Sequence, residues 1–276
     1  MREDTMKQDI KEVDEAWEIV KKARNTNRPS ASYYIKTIVD RFVSLNGDRI
    51  SYDDKAVIAG MCKINEIAAV IVGISKGENL NDNIYRNFGM ARPEGYKKAL
   101  RAMKFAEIHK MPIICLIDTP GAYCGIEAEE NGEGMAIANN LLEMSKIKVP
   151  IISILIGEGG SGGALGLGVA DKVLILENAI YSILSPEGFA SILWKDINRT
   201  KEAASKMKLT AADLKELKVV DKIIKEPYGG AHNNKKEAAM ILKEAIIDEL
   251  EKLMKCDVNE MLDNRYNKFR KMGTCI

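Results

Sequence analysis

The residues with the clearest chemical potential are the glycines of segment 157–163, which holds five glycines in seven positions. An apolar run, 149–156, precedes them and is typical of a buried strand, and the small residues that follow predict a helix. Backbone N–H groups at the start of a helix have no internal acceptors, and the helix dipole favours negative charge there. The segment therefore predicts a loop that binds an anion through backbone amides. Close packing of the helix against the strand would also require glycine and is the alternative explanation.

The kind of anion follows from residues that the segment lacks. A nucleotide-binding P-loop ends in Gly-Lys-Ser/Thr, but Ala164 and Leu165 stand at those positions. A dinucleotide fingerprint needs an acidic residue about 20 positions further on; Glu177 is available, but the register is poor and the loop lies in mid-chain. The sequence therefore favours an oxyanion, such as the oxygen of a thioester enolate, a ureido ring or a tetrahedral intermediate.

A second loop has the same organisation. The predicted strand 112–118 ends in a Thr-Pro-Gly turn, where we expect the amides of Gly121 and Ala122 to be unpaired. In an open α/β sheet, ligands bind beyond the carboxyl ends of the strands, and both loops occupy that edge. We therefore expect the two loops to face one crevice, although the turn alone would be ordinary.

A serine hydrolase is the competing interpretation. The glycine-rich loop satisfies G-x-S-x-G around Ser161, which is the nucleophile-elbow pattern. The chain order allows Asp171 or Asp221 and then His232 to complete a triad, and His109 is the other histidine. Each histidine taken alone is more often a structural or surface residue.

Composition excludes several classes of protein. The chain has 276 residues, 46% of them hydrophobic, which is enough for one large domain or two small ones. Forty-one basic and 40 acidic side chains leave a net charge of +1, so no overall field attracts nucleic acid or an anionic membrane. The apolar runs are shorter than the ~20 residues that cross a bilayer, and the first residues show no secretory signal. We expect a cytoplasmic protein without a membrane or nucleic-acid partner.

The cysteines predict neither disulfides nor a metal site. Their number is odd and no two are spaced as C-x-x-C, so a disulfide framework and a zinc ribbon are both disfavoured. We expect reduced thiols and no metal in this chain. The cysteines are Cys62, Cys115, Cys124, Cys256 and Cys275.

The periodicity predicts two helices, a hairpin, and then strands and helices in alternation. This alternation implies crossover units and a largely parallel, buried sheet. The last stretch, 235–271, is long, charged and periodic and is expected to cover the domain or a partner. Helices are expected at 9–24, 30–45, 93–110, from the second loop to about 146, and from about 162; strands are expected at 56–61, 67–74, 112–118, 150–156, 172–176 and 180–184.

Five sequence blocks give a specific resemblance. In order along the chain, they resemble the signature blocks of the alpha subunit of the bacterial acetyl-CoA carboxylase carboxyltransferase, from about residue 28 to at least residue 250. The blocks are NFGMARPEGYKKALR (87–101), DTPGAY (118–123), GEGGSGGALGLG (157–168), YSILSPEGFASILWK (181–195) and EPYGGAH (226–232).

The resemblance implies a fold and a complex. It implies an α/β, crotonase-like (ClpP/crotonase) ββα spiral, here divided into an N-terminal helical arm (1–28), a carboxyltransferase domain (29–254) and a C-terminal helical tail (255–276). It further implies a zinc-ribbon beta subunit on the acetyl-CoA side, assembled as α2β2. Carboxybiotin would be presented by the biotin carboxyl carrier protein, and biotin carboxylase would belong to the same complex.

The resemblance also implies roles for loop residues. The amides of Gly162 and Gly163, followed by Ala164, match the oxyanion site for the biotin ureido oxygen. Two N–H donors would stabilise the charge on the ureido group as it gives up CO2, and each donor would change the rate by ~10² to 10³. The biotin group itself would then take the alpha proton of acetyl-CoA, making malonyl-CoA for fatty acid synthesis. The other substrate-binding candidates are Gly121, Ala122, Tyr123, Gly159 and Gly160.

A non-catalytic scaffold or CoA-binding module is a third possibility. Five basic residues around the helix that begins near Pro93 could contact CoA phosphates, carboxylates of the biotin carrier or acidic residues of the beta subunit. A solvated helix face would explain them equally well. These residues are Arg86, Lys97, Lys98, Arg101 and Lys104.

Overall fold

One mixed sheet organises the chain in this computed structural model, which describes residues 2–273, with side chains from residue 13 onward. Neighbouring strands follow the order β1-β2-β3-β4-β5-β6-β8, and β7 pairs with the end of β5. The first three strands are antiparallel, and the pairs from β3 onward are parallel. The strands of the described residues are β1 (Arg41–Ser44), β2 (Val57–Ile64), β3 (Ile67–Ile74), β4 (Ile113–Thr119), β5 (Ile151–Gly160), β6 (Lys172–Leu176), β7 (Ile180–Ser182) and β8 (Lys222–Ile224).

Helices cover the sheet and connect its parallel strands. The largest are α1 at the N-terminus, α4 and α6 between the central strands, and α11 and α12 at the C-terminus. In chain order they are α1 (Arg2–Ala23), α2 (Ala31–Ile38), α3 (Leu80–Tyr85), α4 (Pro93–Ile108), α5 (Ile126–Glu130), α6 (Glu133–Met144), α7 (Ser161–Leu165), α8 (Pro186–Phe189), α9 (Thr200–Lys206), α10 (Ala211–Glu216), α11 (Lys235–Leu253) and α12 (Val258–Lys271), with a π-helical turn at Ala190–Trp194. None of the described helices is long and apolar enough to cross a bilayer.

The central strands form the core. Every residue of β4 is buried, and so is every residue of β5 except the last. Such strands are continuous runs of Ile, Leu and Val because helices cover both faces of a parallel sheet. Buried polar side chains here are paired: the Ser153 hydroxyl donates to the Leu167 carbonyl over 2.5 Å. The predicted hairpin and parallel sheet are therefore confirmed.

Strand β5 changes its neighbour along its length. Residues 152–155 pair with β6, whereas residues 158–160 pair with β7. The pairing of β5 with β4 also shifts between Ile117 and Thr119. The last three residues of β5 thus pair with β7 in place of β6, while Gly159 still pairs with Thr119 of β4, and α7 follows directly.

Two helix predictions were too long. The helix expected from residue 30 ends at Ile38, because Val39 is extended and residues 41–44 pair with β2 as an edge strand. The helix expected to reach residue 146 is two helices, α5 and α6, separated at Gly132, whose φ of 80° interrupts the helical backbone. The helix after the glycine-rich loop, α7, spans only five residues.

The arm and the tail pack on the sheet. Val20 of α1 is fully buried in a small second core with Ile180 and Leu209, which confirms the predicted N-terminal helix. Arg265 of α12 is 2% exposed and forms an ion pair with Asp171, just before β6. The division at residues 28 and 254 stays a prediction.

The described cysteines are free thiols. Cys62 and Cys115 are buried, and burial raises the pKa of the Cys115 thiol to about 12, which keeps it protonated. Cys124 and Cys256 are exposed. The prediction of a reduced thiol at Cys275 falls outside the described residues.

Candidate active site

The two predicted loops are in direct contact. A Cβ built on Gly160 would overlap the carbonyl of Pro120, and a Cβ on Gly163 would overlap the amide of Ala122. Only glycine permits this approach of one backbone to another. The glycines of segment 157–163 therefore agree with both explanations of this segment, close packing and anion binding. Some of them allow close packing, and this packing brings both loops to one edge of the sheet.

Gly162 and Gly163 lie in the first turn of α7, where N–H groups have no carbonyl four residues earlier in the helix. No loop carbonyl or side chain of the described residues accepts from them. The Gly162 carbonyl accepts from Gly166 N over 2.9 Å, which fixes the peptide plane that carries the Gly163 N–H. Gly162 has open space beside its Cα: a Cβ built there would meet only Ile137 Cδ1, at 3.6 Å.

Tyr96 was missed by the sequence analysis. Its hydroxyl, fully buried, donates to the Gly163 carbonyl over 3.1 Å and so orients the peptide that carries the Ala164 N–H. Burial raises the pKa of this phenol well above its ordinary value, so it remains a donor. The residue lies inside the block 87–101, but nothing in that block indicates a contact 67 positions away.

One predicted unpaired amide is in fact occupied. The Gly121 N–H donates to Thr119 Oγ1 over 3.1 Å, and the same hydroxyl donates to the Gly121 carbonyl over 2.7 Å. Threonine at the start of a turn commonly satisfies the backbone two residues later. Tyr123 N donates to the Ala91 carbonyl over 2.9 Å. Ala122 is thus the amide of this turn that keeps no acceptor within the described chain.

Tyr123 supports its loop by packing. The Arg92 guanidinium lies 4.2 Å from the centre of its ring, and Arg92 Nη1 is 2.8 Å from Glu127 Oε2. A Cβ on Gly125 would overlap the same ring. The ring is therefore fixed between its neighbours and holds the turn in position.

Ser161 is exposed and has a φ of 50°, in the left-handed region that non-glycine residues rarely adopt. Its hydroxyl makes no hydrogen bond to any described residue. Beside it lies a mainly apolar cavity of about 290 Å³. The lining contains no histidine, aspartate or glutamate; it consists of Ser161, Gly162, Leu165, Tyr181, Ser182, Ile183, Leu214 and Val219.

The possible triad partners lie elsewhere. Asp171 accepts from Ile151 N at the start of β5, whereas Ser161 follows its end, about 33 Å along a ten-residue strand. Asp221 precedes β8 at the same distant edge and accepts from Val173 N. His109 is the C-cap of α4, and its ring centre lies 4.2 Å from that of Phe105. His232 lies beside Gly230 and does not line the cavity at Ser161, so that cavity contains no histidine that could act as the base of a hydrolase.

The basic residues of the α4 region are held by their own chain. Lys98 forms an ion pair with Asp53 at 2.6 Å, and Lys104 pairs with Glu143 at 2.5 Å. The others contact backbone carbonyls or an acidic neighbour: Arg86 pairs with Asp82, Lys97 donates to the Asn131 carbonyl, and Arg101 donates to the carbonyls of Asn46 and Gly47. The contact of these residues with CoA phosphates or a partner stays a prediction.

The backbone donors of this site suit a ureido oxygen. Within the described residues, no three His, Cys, Asp or Glu side chains are grouped so as to hold a metal ion. Gly162 lines the apolar cavity, and Gly163 packs on Ala122 where the two loops meet. Backbone N–H donors suit a neutral carbonyl oxygen that gains negative charge.

Solved structures share this fold. The structure is similar to transcarboxylase 12S with methylmalonyl-coenzyme A bound, at a TM-score of 0.67 and 18% identity over 81% of this chain and 41% of that one. It is also similar to a Pseudomonas malonate decarboxylase hetero-dimer, at a TM-score of 0.62 and 12% identity over 78% of this chain and 90% of that one. At these identities the likeness concerns the fold alone.

Sequence comparison gives the family. The family model "Acetyl co-enzyme A carboxylase carboxyltransferase-like" matches residues 1–273. A carboxyl transferase subunit alpha of Clostridium botulinum is 56% identical over 95% of this chain and 96% of its own length, and one of Clostridium perfringens is 58% identical over 93% and 94%. The chain belongs to the family of acetyl-coenzyme A carboxylase carboxyl transferase alpha subunits. A relative from Clostridium tetani, named "subunits beta/alpha", is 52% identical over 94% of this chain and 45% of its own length.

Proposed function

We propose that this chain is the alpha subunit of a carboxyltransferase that moves the carboxyl group of carboxybiotin to acetyl-CoA, giving malonyl-CoA for fatty acid synthesis. The observation that carries the proposal is the packing of Gly163 on Ala122, which gathers the unpaired amides of two loops at one edge of the sheet. Membership of the family supports the choice of substrates.

The residues of this chain act by binding and orientation. The N–H groups of Gly162 and Gly163 would hold the ureido oxygen, and each donor would contribute ~10² to 10³ in rate. Gly121, Ala122, Tyr123, Gly159, Gly160 and Ala164 would shape the binding surface around it. When bound, carboxybiotin supplies the carboxyl group and afterwards an atom that takes the alpha proton of acetyl-CoA. No protein base is required, which agrees with a cavity lining at Ser161 that contains neither histidine nor carboxylate.

A beta subunit would supply the other half of the site. The Clostridium tetani relative, whose name joins beta and alpha subunits, supports such a partner. We propose an α2β2 assembly with a zinc-ribbon beta subunit, served by biotin carboxyl carrier protein and biotin carboxylase in the cytoplasm.

Reconstitution tests this function. The purified chain alone should show no malonyl-CoA-dependent carboxyl transfer to biocytin, because it holds only one of the two oxyanion sites that a biotin and thioester pair needs. The beta subunit from the same host should co-purify with the chain and restore transfer. Turnover by the chain alone, or an inactive but assembled complex, would overturn the proposal.

A further inference from the structure

A buried carboxylate lies within the glycine-rich segment, at Glu158, and is held from two sides. Glu158 is 9% exposed and is the third residue from the end of β5. Its Oε1 accepts from Arg24 Nε over 2.7 Å, and its Oε2 accepts a short hydrogen bond from Lys76 Nζ. Both partners are remote in sequence, so this arrangement exists only in the folded chain.

The same group of charges reaches the second loop. Lys76 Nζ also lies 3.2 Å from Asp118 Oδ1, and this carboxylate accepts from the backbone N–H of Glu158 over 3.0 Å. Asp118 stands directly before Thr119 and its turn. Lys76 therefore joins the two positions from which the amide-bearing loops begin.

Arg24 connects these loops to two outer elements. It follows α1, and its Nη1 lies 2.7 Å from Glu187 Oε1 in the first turn of α8. The guanidinium also borders a small cavity of about 40 Å³, whose wall includes Pro120 and Gly160. The charged groups that face Glu158 are thus Lys76, Arg24 and Asp118, with Glu187 behind Arg24.

We propose that Lys76 and Arg24 are positioning residues for carboxyl transfer: they hold the Glu158 carboxylate and thereby the direction of the Gly162 and Gly163 amides. This inference rests on the proposed function. Neither side chain is one of the amide donors, so each acts through the end of β5, and the effect should appear in kcat more than in substrate binding.

Electrostatics explains why the arrangement depends on charge. Burial alone would raise the pKa of Glu158, but the charge and hydrogen bond of Lys76, followed by those of Arg24, lower it below its ordinary value. Burial would likewise lower the pKa of Lys76, but Asp118 and Glu158 raise it. Without Lys76, the pKa of Glu158 rises, and protonation at lower pH also weakens its bond to Arg24.

The test uses the reconstituted complex and compares Lys76→Met with Lys76→Arg. A displacement of about 1 Å in a catalytic group costs about 100-fold, so Lys76→Met should lower kcat about 100-fold with little change in the KM for malonyl-CoA. Lys76→Arg keeps the charge and should retain a larger part of the rate. Lys63→Met, which removes an exposed lysine paired with Glu66, is the matched control and should be unchanged.

The pH profile separates positioning from general destabilisation. The kcat of Lys76→Met should begin to fall at a higher pH than that of the wild type, because the pKa of Glu158 rises when Lys76 no longer lowers it. The double change Lys76→Met with Glu158→Gln removes that ionisation, and the additional fall should disappear. Wild-type kcat in Lys76→Met, or a lower kcat without the new pH dependence, would overturn the inference.

Arg24→Gln provides a second route if Lys76→Met does not fold or assemble. The Arg24 side chain is 30% exposed, so its removal disturbs packing less. In a folded complex we expect about tenfold lower kcat and the same additional loss of kcat at lower pH as for Lys76→Met. An unchanged dependence of kcat on pH would contradict the inference. A wild-type complex without transfer would instead overturn the proposed function itself, which keeps the two failures distinguishable.

Discussion

The two ends of strand β5 are built in different ways. At its beginning, the buried Arg265 donates from all three nitrogens of its guanidinium, to both oxygens of Asp171 over 2.6 and 2.7 Å and to three carbonyls. Those carbonyls belong to Met144, Ile147 and Val149, at 2.7 to 3.2 Å. At its end, Gly162 and Gly163 keep N–H groups that no loop carbonyl or side chain of the described residues accepts.

This difference separates stability from function. Buried polar groups normally find partners because an unpaired one costs about 1–3 kcal/mol. The Arg265 end follows this rule, because its guanidinium and the Asp171 carboxylate are paired. The glycine end leaves amides available, and a ligand oxygen can supply the missing acceptor. Changes at the two ends should therefore affect different measurements.

The largest effect on the rate of carboxyl transfer is expected at the glycine end of β5. Gly163→Val should lower carboxyl transfer by about a thousandfold or more, because its side chain would collide with Gly121 and Ala122 and redirect the amides, losing at least one donor. Steady-state rates of the reconstituted complex measure this loss, and circular dichroism checks folding. Gly134→Val is the control, since a Cβ at Gly134 meets nothing within 4 Å. An active Gly163→Val complex would contradict amide-based catalysis.

At the Arg265 end of β5, the expected loss is one of stability and not of rate. Arg265→Met should lower the free energy of unfolding by about 3 kcal/mol, because Asp171 stays buried and loses its charged partner. The value lies at the lower end of the usual range since Asp171 keeps its bond from Ile151 N at 2.7 Å. Urea unfolding measures the change.

The kcat of the complex assembled from folded Arg265→Met protein should stay near wild type. Lys252→Met changes an exposed lysine of α11 near the same end and should leave the unfolding midpoint unchanged. If Arg265→Met lost its catalytic rate while keeping its stability, the division of roles between the two ends would be wrong.

The smallest effect is expected for Ser161→Ala. The Ser161 hydroxyl has no hydrogen bond to the described residues, and a typical bond of about 1 kcal/mol would in any case limit the loss to less than about tenfold. The rate of the reconstituted complex and labelling by a fluorophosphonate both test this. A serine hydrolase would lose essentially all activity in this variant and would be labelled in the wild-type form. Such a result would replace the amide mechanism with a nucleophilic one.

Local sequence determined the central architecture. The apolar runs of β4 and β5 and the glycines after them indicate buried strands that end in amide-rich loops, because strand burial and helix starts depend on neighbouring residues. The five blocks, read as residue strings in order along the chain, are also sufficient to indicate the family. These features depend on residue type and short spacing, which a sequence displays directly.

Tertiary structure decided which predicted elements form and which polar groups remain free to bind a ligand. Residues 41–44 became a strand because β2 lay beside them, and the Lys98 ammonium was taken up by Asp53. Even within one turn, the hydroxyl of Thr119 removed the Gly121 amide from the candidate donors. Contacts such as Arg24 with Glu158 join residues 134 positions apart, and no periodicity records them. Packing brings such groups together, and the cost of burying an unpaired charge then selects their partners.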